Sequence, residues 1–366
     1  MPFNRIYNNK KVLITGNTGF KGSWLSVWLT MLDADVYGFA LDIPTRPSIF
    51  EVLNLEKKIS HHWGDIRDNK GLNSYIQKIK PDFIFHLAAQ AIVSLSFKEP
   101  FETITTNVIG TGAVLDAMRQ ITWDCTCVLI TSDKVYENVE KSQGYRETDS
   151  LGGKDIYSGS KAASELIIRS FYHAFLKDKS NIRMGIARAG NVIGGGDWAQ
   201  DRIVVDCIKA FADKTTVDIR SPKATRPWQH VLEPLSGYLS FGQLLTEGNA
   251  GKCEAFNFGP RTEATKTVYE LTEDLAKRWG QDADKYINIK EERLFSEATL
   301  LQLNCEKSMS LLHWHSTLSY HQCINFIVDW YKAYYANIQE DMYKITEEQI
   351  DVYVSEASRQ QLNWAE

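Results

Sequence analysis

A short apolar run that leads directly into a glycine-rich turn constrains the fold of this chain more than any other feature. The run Lys11–Thr15 is followed by Thr15-Gly16-Asn17-Thr18-Gly19-Phe20-Lys21-Gly22, which opens a helical pattern. In such a turn Gly16 permits the sharp bend, Gly19 lets the backbone approach a phosphate and Gly22 lets the helix pack closely. Free N–H groups at a helix N-terminus attract anions. The turn therefore predicts a dinucleotide-binding site.

Short apolar runs alternate with helical patterns over the first 190 residues. Five runs have the length and the two-sided apolar character of strands in a parallel sheet: Lys11–Thr15, Asp35–Phe39, Phe83–Leu87, Val128–Thr131 and Arg183–Ala187. This alternation predicts an α/β fold with a Rossmann-type doubly wound parallel sheet.

The regularity fades after Gly190, which favours a smaller, discontinuous α/β region beside the sheet. We expect residues 1–189 and 225–260 to form the dinucleotide-binding domain. Residues 190–224 and 261–366 would then form the substrate-binding region.

Composition excludes several classes of protein. The 366 residues are 43% hydrophobic and 24% charged, which is typical of a globular chain. The net charge of −5 gives no basic field for nucleic acid or an anionic membrane. No apolar stretch reaches the roughly 18 residues of a membrane span. The cysteines suggest no disulfide framework, and the histidines and cysteines lack metal-ligand spacing. We expect a cytoplasmic protein without a metal.

A second motif supplies candidate catalytic groups. Tyr157 and Lys161 are spaced so that both side chains lie on one face of a predicted helix. A phenol that acts as a base near neutral pH needs about 4 kcal/mol of phenolate stabilisation, which a neighbouring ammonium can supply. Ser132, Asp133 and Lys134 follow a predicted strand, at the sheet edge where ligands bind. An ordinary amphipathic helix and a surface Asp–Lys pair are the alternatives.

The second predicted strand leaves the choice of dinucleotide open. An acidic residue at its end would bind the ribose 2′-hydroxyl of NAD, but the expected position is Ala40, and Asp42 comes slightly late. Arg46 would suit a 2′-phosphate, and Asp65 is better placed to meet the adenine.

Further stretches carry a family resemblance that extends to about Tyr331. They are Gly16–Leu25, His86-Leu87-Ala88-Ala89-Gln90, Thr106–Thr111, Arg188–Trp198 and Arg226–Pro234. Together they resemble the extended short-chain dehydrogenase/reductase family of NAD-dependent epimerases and dehydratases, and within it the CDP-glucose 4,6-dehydratases. Ser132-Asp133-Lys134 stands where dTDP-glucose enzymes typically have Thr-Asp-Glu.

The resemblance implies a hydro-lyase that converts CDP-glucose to CDP-4-keto-6-deoxyglucose by internal hydride transfer through bound NAD, in deoxysugar and O-antigen biosynthesis. Tyr157 would remove the C4 hydroxyl proton, Lys161 would lower the pKa of Tyr157, and Ser132 would bind the reacting oxygen. Asp133 or Lys134 would assist the loss of water. Members of the family are commonly homodimers or homotetramers.

The resemblance also implies which residues contact ligands. Those implied for NAD are Gly16, Thr18, Gly19, Phe20, Gly22, Asp65, Ile66, Leu87, Ala88, Ala89, Asn107, Tyr157 and Lys161. Those implied for the nucleotide sugar are Gln90, Ser132, Asn191, Arg202 and Arg226.

Two departures from the family pattern leave the substrate open. Ala91-Ile92-Val93-Ser94 replaces the usual Pro-Leu-Val-Arg, and Asp201–Val205 replaces the common Arg-Leu-Ile-Pro. A related dehydratase with another sugar or nucleotide, a 4-epimerase that needs only Tyr157 and Lys161, and a catalytically silent NAD-binding module remain alternatives.

The end of the sequence is acidic. From Glu340 onward the sequence contains seven acidic residues and only two basic ones, Lys344 and Arg359. This pattern predicts an amphipathic surface helix, with a partner-binding tail as the alternative.

Overall fold

Seven parallel strands form the central sheet of the computed structural model, which describes residues 2–248, 253–261, 265–290, 301–336 and 341–366. The strands are β1 (Lys11–Thr15), β2 (Asp35–Ala40), β3 (Ser60–Trp63), β4 (Phe83–His86), β5 (Cys125–Ile130), β6 (Ile182–Ala189), β7 (Val192–Ile193), β8 (Val217–Ile219), β9 (Thr225–Pro227), β10 (Gln229–His230), β11 (Ala255–Phe258), β12 (Thr265–Thr267) and β13 (Ile287–Ile289). The order across the sheet is β3-β2-β1-β4-β5-β6-β11. The predicted doubly wound sheet is confirmed.

Helices cover both faces of this sheet. They are α1 (Phe20–Met31), α2 (Ile49–Val52), α3 (Asn69–Ile79), α4 (Val93–Lys98), α5 (Pro100–Ile104), α6 (Gly110–Arg119), α7 (Ile156–Phe171), α8 (Ile203–Asp213), α9 (Leu232–Thr246), α10 (Val268–Trp279), α11 (Ala283–Tyr286), α12 (Glu306–Leu311), α13 (Tyr320–Tyr335) and α14 (Met342–Arg359). In β1, Val12 and Ile14 join the core that contains α1 and α9, whereas Leu13 joins the core under α3, α6 and α7. β1 is therefore apolar on both faces, as a strand inside a parallel sheet requires.

The predicted strands differ from the observed ones mainly at their ends. The third predicted run stops at His86, and β5 begins at Cys125, three residues before the predicted Val128. All six residues of β5 are buried, and Cys125 and Thr126 belong to the strand because they pair with Ile182 and Arg183 of β6.

Two strands of the sheet were not among the five predicted runs, namely β3 at one edge and β11 at the other. β11 is the more unusual of the two. Its central Asn257 is fully buried and donates from Nδ2 to the carbonyls of Tyr145 at 2.8 Å and Asn304 at 3.0 Å. The Tyr136 hydroxyl donates to Asn257 Oδ1 at 2.8 Å. Because these hydrogen bonds satisfy the amide, a polar residue is tolerated inside a buried strand.

The C-terminal helices pack onto the sheet layer rather than apart from it. The buried Glu233 carboxylate of α9 accepts the N–H groups of Thr317 at 2.9 Å and Leu318 at 2.7 Å, and the Tyr353 hydroxyl of α14 at 2.8 Å. Phe3 stacks on Trp364 with ring centroids 5.1 Å apart. These contacts join the beginning and the end of the chain to one core.

The acidic segment forms the amphipathic helix that its pattern predicted. In α14, Met342, Ile350 and Tyr353 are buried, and Asp341 caps the helix by accepting the N–H group of Tyr343 at 3.0 Å. Glu340 lies outside the described residues.

All six cysteines are free thiols. Within the described ranges, no group of His, Cys, Asp and Glu side chains is arranged to bind a metal ion. The helices described here include none long and apolar enough to cross a membrane.

Two fully buried charged side chains join α7 to the sheet. Arg188 on β6 donates from Nε to the Glu165 carboxylate at 2.8 Å, and its Nη2 bonds the second carboxylate oxygen. The Thr131 hydroxyl, just after β5, donates to the same carboxylate at 2.7 Å. Arg188 Nη1 also donates to the Tyr136 hydroxyl at 2.6 Å. The pair therefore fixes α7 against the ends of β5 and β6.

Replacement of Arg188 by methionine should destabilise the protein by about 3–5 kcal/mol, because the buried Glu165 carboxylate loses its buried cationic partner and keeps only the Thr131 hydroxyl and the more distant Arg169. The double variant Glu165→Leu/Arg188→Met removes both charges and should recover more than half of that loss. Urea unfolding followed by circular dichroism measures both variants. A loss below about 1 kcal/mol for Arg188→Met would show that the pair does not secure α7.

Candidate functional site

The glycine-rich turn lies at the carboxyl end of β1 with the geometry that its sequence predicted. Gly16 has a φ of +74°, and its N–H group donates to the Phe39 carbonyl at 2.8 Å. A Cβ atom on Gly22 would lie 2.3 Å from the Gly16 carbonyl oxygen, so α1 starts against the turn only because this residue is glycine. The Thr18 hydroxyl donates to the Asp42 carbonyl at 2.7 Å. The N–H groups in the first turn of α1 have no intrahelical acceptor and are free for an anion.

The segment after β4 packs beside this turn. A Cβ atom on Gly16 would lie 2.8 Å from the backbone of Ala88. Thr15 binds the segment through both of its oxygens: its carbonyl accepts the Leu87 N–H at 3.1 Å and its hydroxyl accepts the Ala88 N–H at 3.2 Å. The structure therefore brings Leu87, Ala88 and the following Ala89 next to the glycine-rich turn.

Asn107 connects that segment to α7. Its Oδ1 accepts the Gln90 N–H at 2.9 Å, and its Nδ2 donates to the Ser160 hydroxyl at 2.9 Å. The Gln90 side chain is engaged within its own loop, where it donates to the Ile92 carbonyl at 3.0 Å and to the Thr103 hydroxyl at 2.8 Å. Asn107 thus positions backbone around the site, and Gln90 is held in place by its neighbours.

Asp65 and Ile66 lie after the end of β3. The Asp65 carboxylate accepts Arg67 Nη2 at 2.6 Å, and the hydrogen bonds from Arg67 lower the pKa of Asp65. Ile66 is buried against Gly110, where a Cβ atom would lie 2.7 Å from its side chain. The carboxylate predicted to meet the adenine is therefore already paired with Arg67.

The candidate catalytic groups converge at the end of β5. The Ser132 hydroxyl donates to Asp133 Oδ1 at 2.8 Å, and the Lys134 ammonium lies 3.5 Å from the same oxygen. Asp133 is buried against Gly190, where a Cβ atom would lie 3.4 Å from the carboxylate. A hydrogen bond joins Ser132 to the Tyr157 side chain. The sequence predicted this cluster, and the structure brings it together.

Burial shifts the pKa values of Tyr157 and Lys161, the two candidate catalytic residues on α7. It raises the pKa of Tyr157 to about 12, which the hydrogen bond between Tyr157 and Ser132 partly opposes. Burial also lowers the pKa of Lys161 to about 8, against the opposing influence of the Glu165 carboxylate. A phenolate at Tyr157 therefore depends on cationic neighbours and on a ligand that brings positive charge.

Two groups near this cluster were not among the predicted site residues. Lys21, in the first turn of α1, lies with its Nζ 6.0 Å from the ring centroid of Tyr238 on α9. Tyr238 is fully buried and interacts electrostatically with Tyr157 and Asp133. Its hydroxyl has no hydrogen-bond partner among the described residues. A buried hydroxyl without a partner costs free energy and marks a place where a ligand can supply the bond.

A small cleft beside the cluster contains two of the predicted substrate residues. Asn191, Arg202, Asp197 and Trp228 line it together. Arg202 interacts electrostatically with Tyr157, and its buried Nε has no partner in the described part of the chain. Arg226 is on β9, two residues before Trp228, and its Nη1 donates to the Thr225 carbonyl at 2.9 Å. Arg226 is not among the residues that line the cleft.

Ser94 occupies the position where the resemblance would place an arginine. Its hydroxyl donates to Asp201 Oδ2 at 2.6 Å. Asp201 directly precedes Arg202, so the contact ties α4 to the loop that carries this arginine.

Comparison with known proteins shows relatives of this chain that are similar in sequence. A family model described as GDP-mannose 4,6 dehydratase matches residues 13–326. The CDP-glucose 4,6-dehydratase of Salmonella typhimurium is 43% identical over 96% of this chain and 98% of its own. The chain belongs to the GDP-mannose 4,6 dehydratase family. The family and the class of enzyme predicted from the sequence, a nucleotide-sugar dehydratase, are thereby confirmed.

Solved structures agree on the fold. The dTDP-glucose 4,6-dehydratase of Streptomyces venezuelae, solved with NAD bound, matches with a TM-score of 0.76 at 22% identity over 88% of this chain and 97% of its own. The UDP-glucose 4-epimerase of Thermotoga maritima, solved with UDP-glucose, also has a TM-score of 0.76, at 22% identity over 88% of this chain and 99% of its own. Dehydratases and epimerases thus share this scaffold, and the fold alone does not separate them.

The residues around the turn fit a dinucleotide such as NAD. The first turn of α1 offers N–H groups for a pyrophosphate, and its opening residues carry no acidic side chain that would repel one. Asn17 Oδ1 is buried without a partner in the described ranges. Tyr157 and Lys161 lie beyond the turn, at the carboxyl ends of the same sheet.

Gly22→Ala should weaken NAD binding at least about tenfold, because the new methyl group would push α1 away from the Gly16 carbonyl, 2.3 Å from its Cβ. The matched control is Gly112→Ala in α6, where a Cβ atom meets nothing within 4 Å. The control should bind NAD normally and gain about 0.5–1 kcal/mol of stability. Calorimetric titration with NAD and thermal unfolding measure the two effects. Equal NAD affinity in the two variants would refute the role of the close approach at Gly22.

Proposed function

We propose that the protein is an NAD-dependent nucleotide-sugar 4,6-dehydratase that acts on CDP-glucose. One observation carries the proposal: Ser132, Asp133 and Lys134 meet Tyr157 at the carboxyl edge of the sheet, next to the glycine-rich turn. A 4-epimerase needs the tyrosine and lysine but not the acid–base pair beside them. The 43% identity to a CDP-glucose 4,6-dehydratase supports the choice of nucleotide and sugar.

NAD would lie along the carboxyl ends of β1, β2 and β4. Gly16, Thr18, Gly19, Phe20 and Gly22 would surround its pyrophosphate with backbone N–H groups. Further proposed contacts are Asp65, Ile66, Leu87, Ala88, Ala89 and Asn107. Bound there, NAD would accept two electrons from C4 of the sugar and return them at C6.

Tyr157, Ser132 and Lys161 would manage the proton at the C4 hydroxyl. The Tyr157 phenolate takes that proton, and the Ser132 hydroxyl donates a hydrogen bond to the same oxygen. Lys161, one helical turn along α7, stabilises the phenolate by its charge. Glu165 and Arg188 hold α7 against the strand ends, so the positions of Tyr157 and Lys161 relative to Ser132 are set before substrate binds.

Asp133 and Lys134 would assist the loss of water from C5 and C6. The Lys134 ammonium is 3.5 Å from the buried Asp133 carboxylate, the arrangement of an ion pair. An ammonium in this position can protonate the departing C6 hydroxyl, and Asp133 orients it.

The nucleotide would occupy the cleft beside this cluster. Arg202 and Asn191 line that cleft, and Arg202 can bind a phosphate through its guanidinium. Gln90 and Arg226 complete the proposed substrate set. Residues 190–224 and 261–366 would form the substrate-binding region, and 1–189 with 225–260 the NAD domain. A homodimer or homotetramer in the cytoplasm, serving deoxysugar biosynthesis, completes the proposal.

Mass spectrometry after separate incubation with CDP-glucose, dTDP-glucose, GDP-mannose and UDP-glucose tests the function. We expect a product lighter by one water from CDP-glucose, without net consumption of NAD. Tyr157→Phe should lower the rate by about 100-fold or more, because the base at the C4 hydroxyl is gone. Dehydration of another nucleotide sugar instead of CDP-glucose would keep the dehydratase activity and identify that sugar as the substrate. No dehydration at all, together with isomerisation seen by NMR, would establish the epimerase instead.

Lys134→Ala should separate the two halves of the reaction. Reduction of bound NAD by CDP-glucose should proceed nearly as in the unaltered protein, whereas release of dehydrated product should fall about 100-fold. Stopped-flow absorbance of the reduced nicotinamide and quenched-flow product analysis follow the two steps. Dehydration at the normal rate in Lys134→Ala would show that Lys134 takes no part in the elimination.

A further inference from the structure

We infer that Lys21 is a further catalytic residue, the base that removes the C5 proton during the loss of water. This inference rests on the proposed function. It assigns an acid–base role to a residue of the dinucleotide turn, whose neighbours in the turn contribute backbone rather than side-chain chemistry.

The position of Lys21 connects the two halves of the site. Its backbone belongs to the first turn of α1, where the pyrophosphate would lie. Its side chain extends to Tyr238, with the Nζ 6.0 Å from the ring centroid. Tyr238 in turn interacts electrostatically with Tyr157 and Asp133. The Lys21 amine therefore lies within electrostatic range of Asp133 and Lys134, which follow β5, and of Lys161 on α7.

Unpartnered polar atoms surround the same space. The buried Tyr238 hydroxyl and the buried Arg202 Nε have no hydrogen-bond partner among the described residues. Within those ranges no carboxylate lies at ion-pairing distance from the Lys21 ammonium, whereas Lys134 is paired with Asp133. Three polar groups that the protein leaves unsatisfied around one space point to a polar ligand that satisfies them.

The charges that face Lys21 favour its neutral form. The positive charges of Arg202, Lys161 and Lys134 lower its pKa, and the Asp133 carboxylate opposes them. Burial and these cations lower the pKa of Lys21 to about 7, so a large fraction of the amine is unprotonated near neutral pH. Lys134, by contrast, has the Asp133 carboxylate 3.5 Å from its side-chain nitrogen. Two lysines in opposite environments can thus act as base and acid in one elimination.

The step balances with these two groups. The Lys21 amine takes the proton from C5 of the 4-keto sugar, and the electron pair of the C5–H bond forms the C5–C6 double bond. The C6–O bond breaks, and the leaving hydroxyl takes a proton from the Lys134 ammonium and departs as water. Over the whole turnover the proton count is also balanced. Tyr157 and Lys21 each gain one proton, Lys134 gives one to the leaving water, and C5 takes one back when hydride returns to C6.

Deuterium exchange at C5 tests the assignment. CDP-glucose is incubated in deuterium oxide with Lys134→Ala and with Lys21→Met/Lys134→Ala, and recovered CDP-glucose is analysed by NMR. In Lys134→Ala the base is intact and water loss is slow, so recovered substrate should carry deuterium at C5. In the double variant that exchange should fall at least about 100-fold, while reduction of bound NAD persists. Unchanged exchange in the double variant would overturn the inference.

Lys21→Arg separates a base from a simple positive charge. Arginine keeps the charge but does not lose its proton near neutral pH, so Lys21→Arg should dehydrate CDP-glucose as slowly as Lys21→Met. Restored dehydration in Lys21→Arg would mean that Lys21 only contributes charge, for example to a pyrophosphate, and would overturn the inference. Lys78→Met, at an exposed position of α3, is the control and should leave the rate unchanged.

Two further measurements guard against loss of fold and against failure of the proposed function. Acylation of Lys21 in the substrate-free protein, followed by peptide mass spectrometry from pH 6 to pH 10, should show half-maximal reactivity near pH 7. Half-maximal reactivity at the pH typical of exposed lysines would contradict the inference even if Lys21→Met does not fold. If the unaltered protein dehydrates no nucleotide sugar, both the proposed function and this inference fail. If it does and Lys21→Met matches it, only the inference fails.

Discussion

The buried ion pair between Glu165 and Arg188 is the interaction on which the arrangement of the site depends. It joins α7 to β6, and through Thr131 it reaches the end of β5, one residue before Ser132. Tyr157, Lys161 and Glu165 are spaced four residues apart along one face of α7. The buried ion pair at one end of this row therefore fixes the orientation of Tyr157 and Lys161, the proposed catalytic pair, at the other. A buried ion pair adds little net stability over an apolar contact, but it specifies one geometry.

Much of the fold could be predicted from the sequence, because parallel strands and the dinucleotide turn have local signatures. The five predicted runs all became strands of the sheet, and the turn from Gly16 to Gly22 has the expected shape. β11 could not be predicted in this way. Its polar Asn257 looks unsuited to a buried strand until Tyr136, Tyr145 and Asn304 are in place around it.

The site divides along the same line. Ser132, Tyr157 and Lys161 could be predicted because their spacing and their place after a strand carry the signal. Lys21 and Tyr238 could not, since they are far apart in the sequence and meet only when α9 packs beside α1. For Asp65 the sequence predicts a position after a strand but not the partner of the side chain. In the structure the carboxylate is already bound by Arg67. A local pattern places a residue in the fold and does not reveal its partners.

The route of the chain between β6 and β11 has a consequence for how enzymes on this scaffold diversify. The two strands are neighbours in the sheet, and α9 crosses between them. Residues 190–231 leave after β6 and return at the start of this crossover helix, carrying Asn191, Arg202 and Arg226. Such an excursion can lengthen, shorten or change its chemistry without altering the register of any central strand. The part of the proposed nucleotide site that lies on this excursion can therefore change within one continuous stretch of gene while the glycine-rich turn is inherited unchanged.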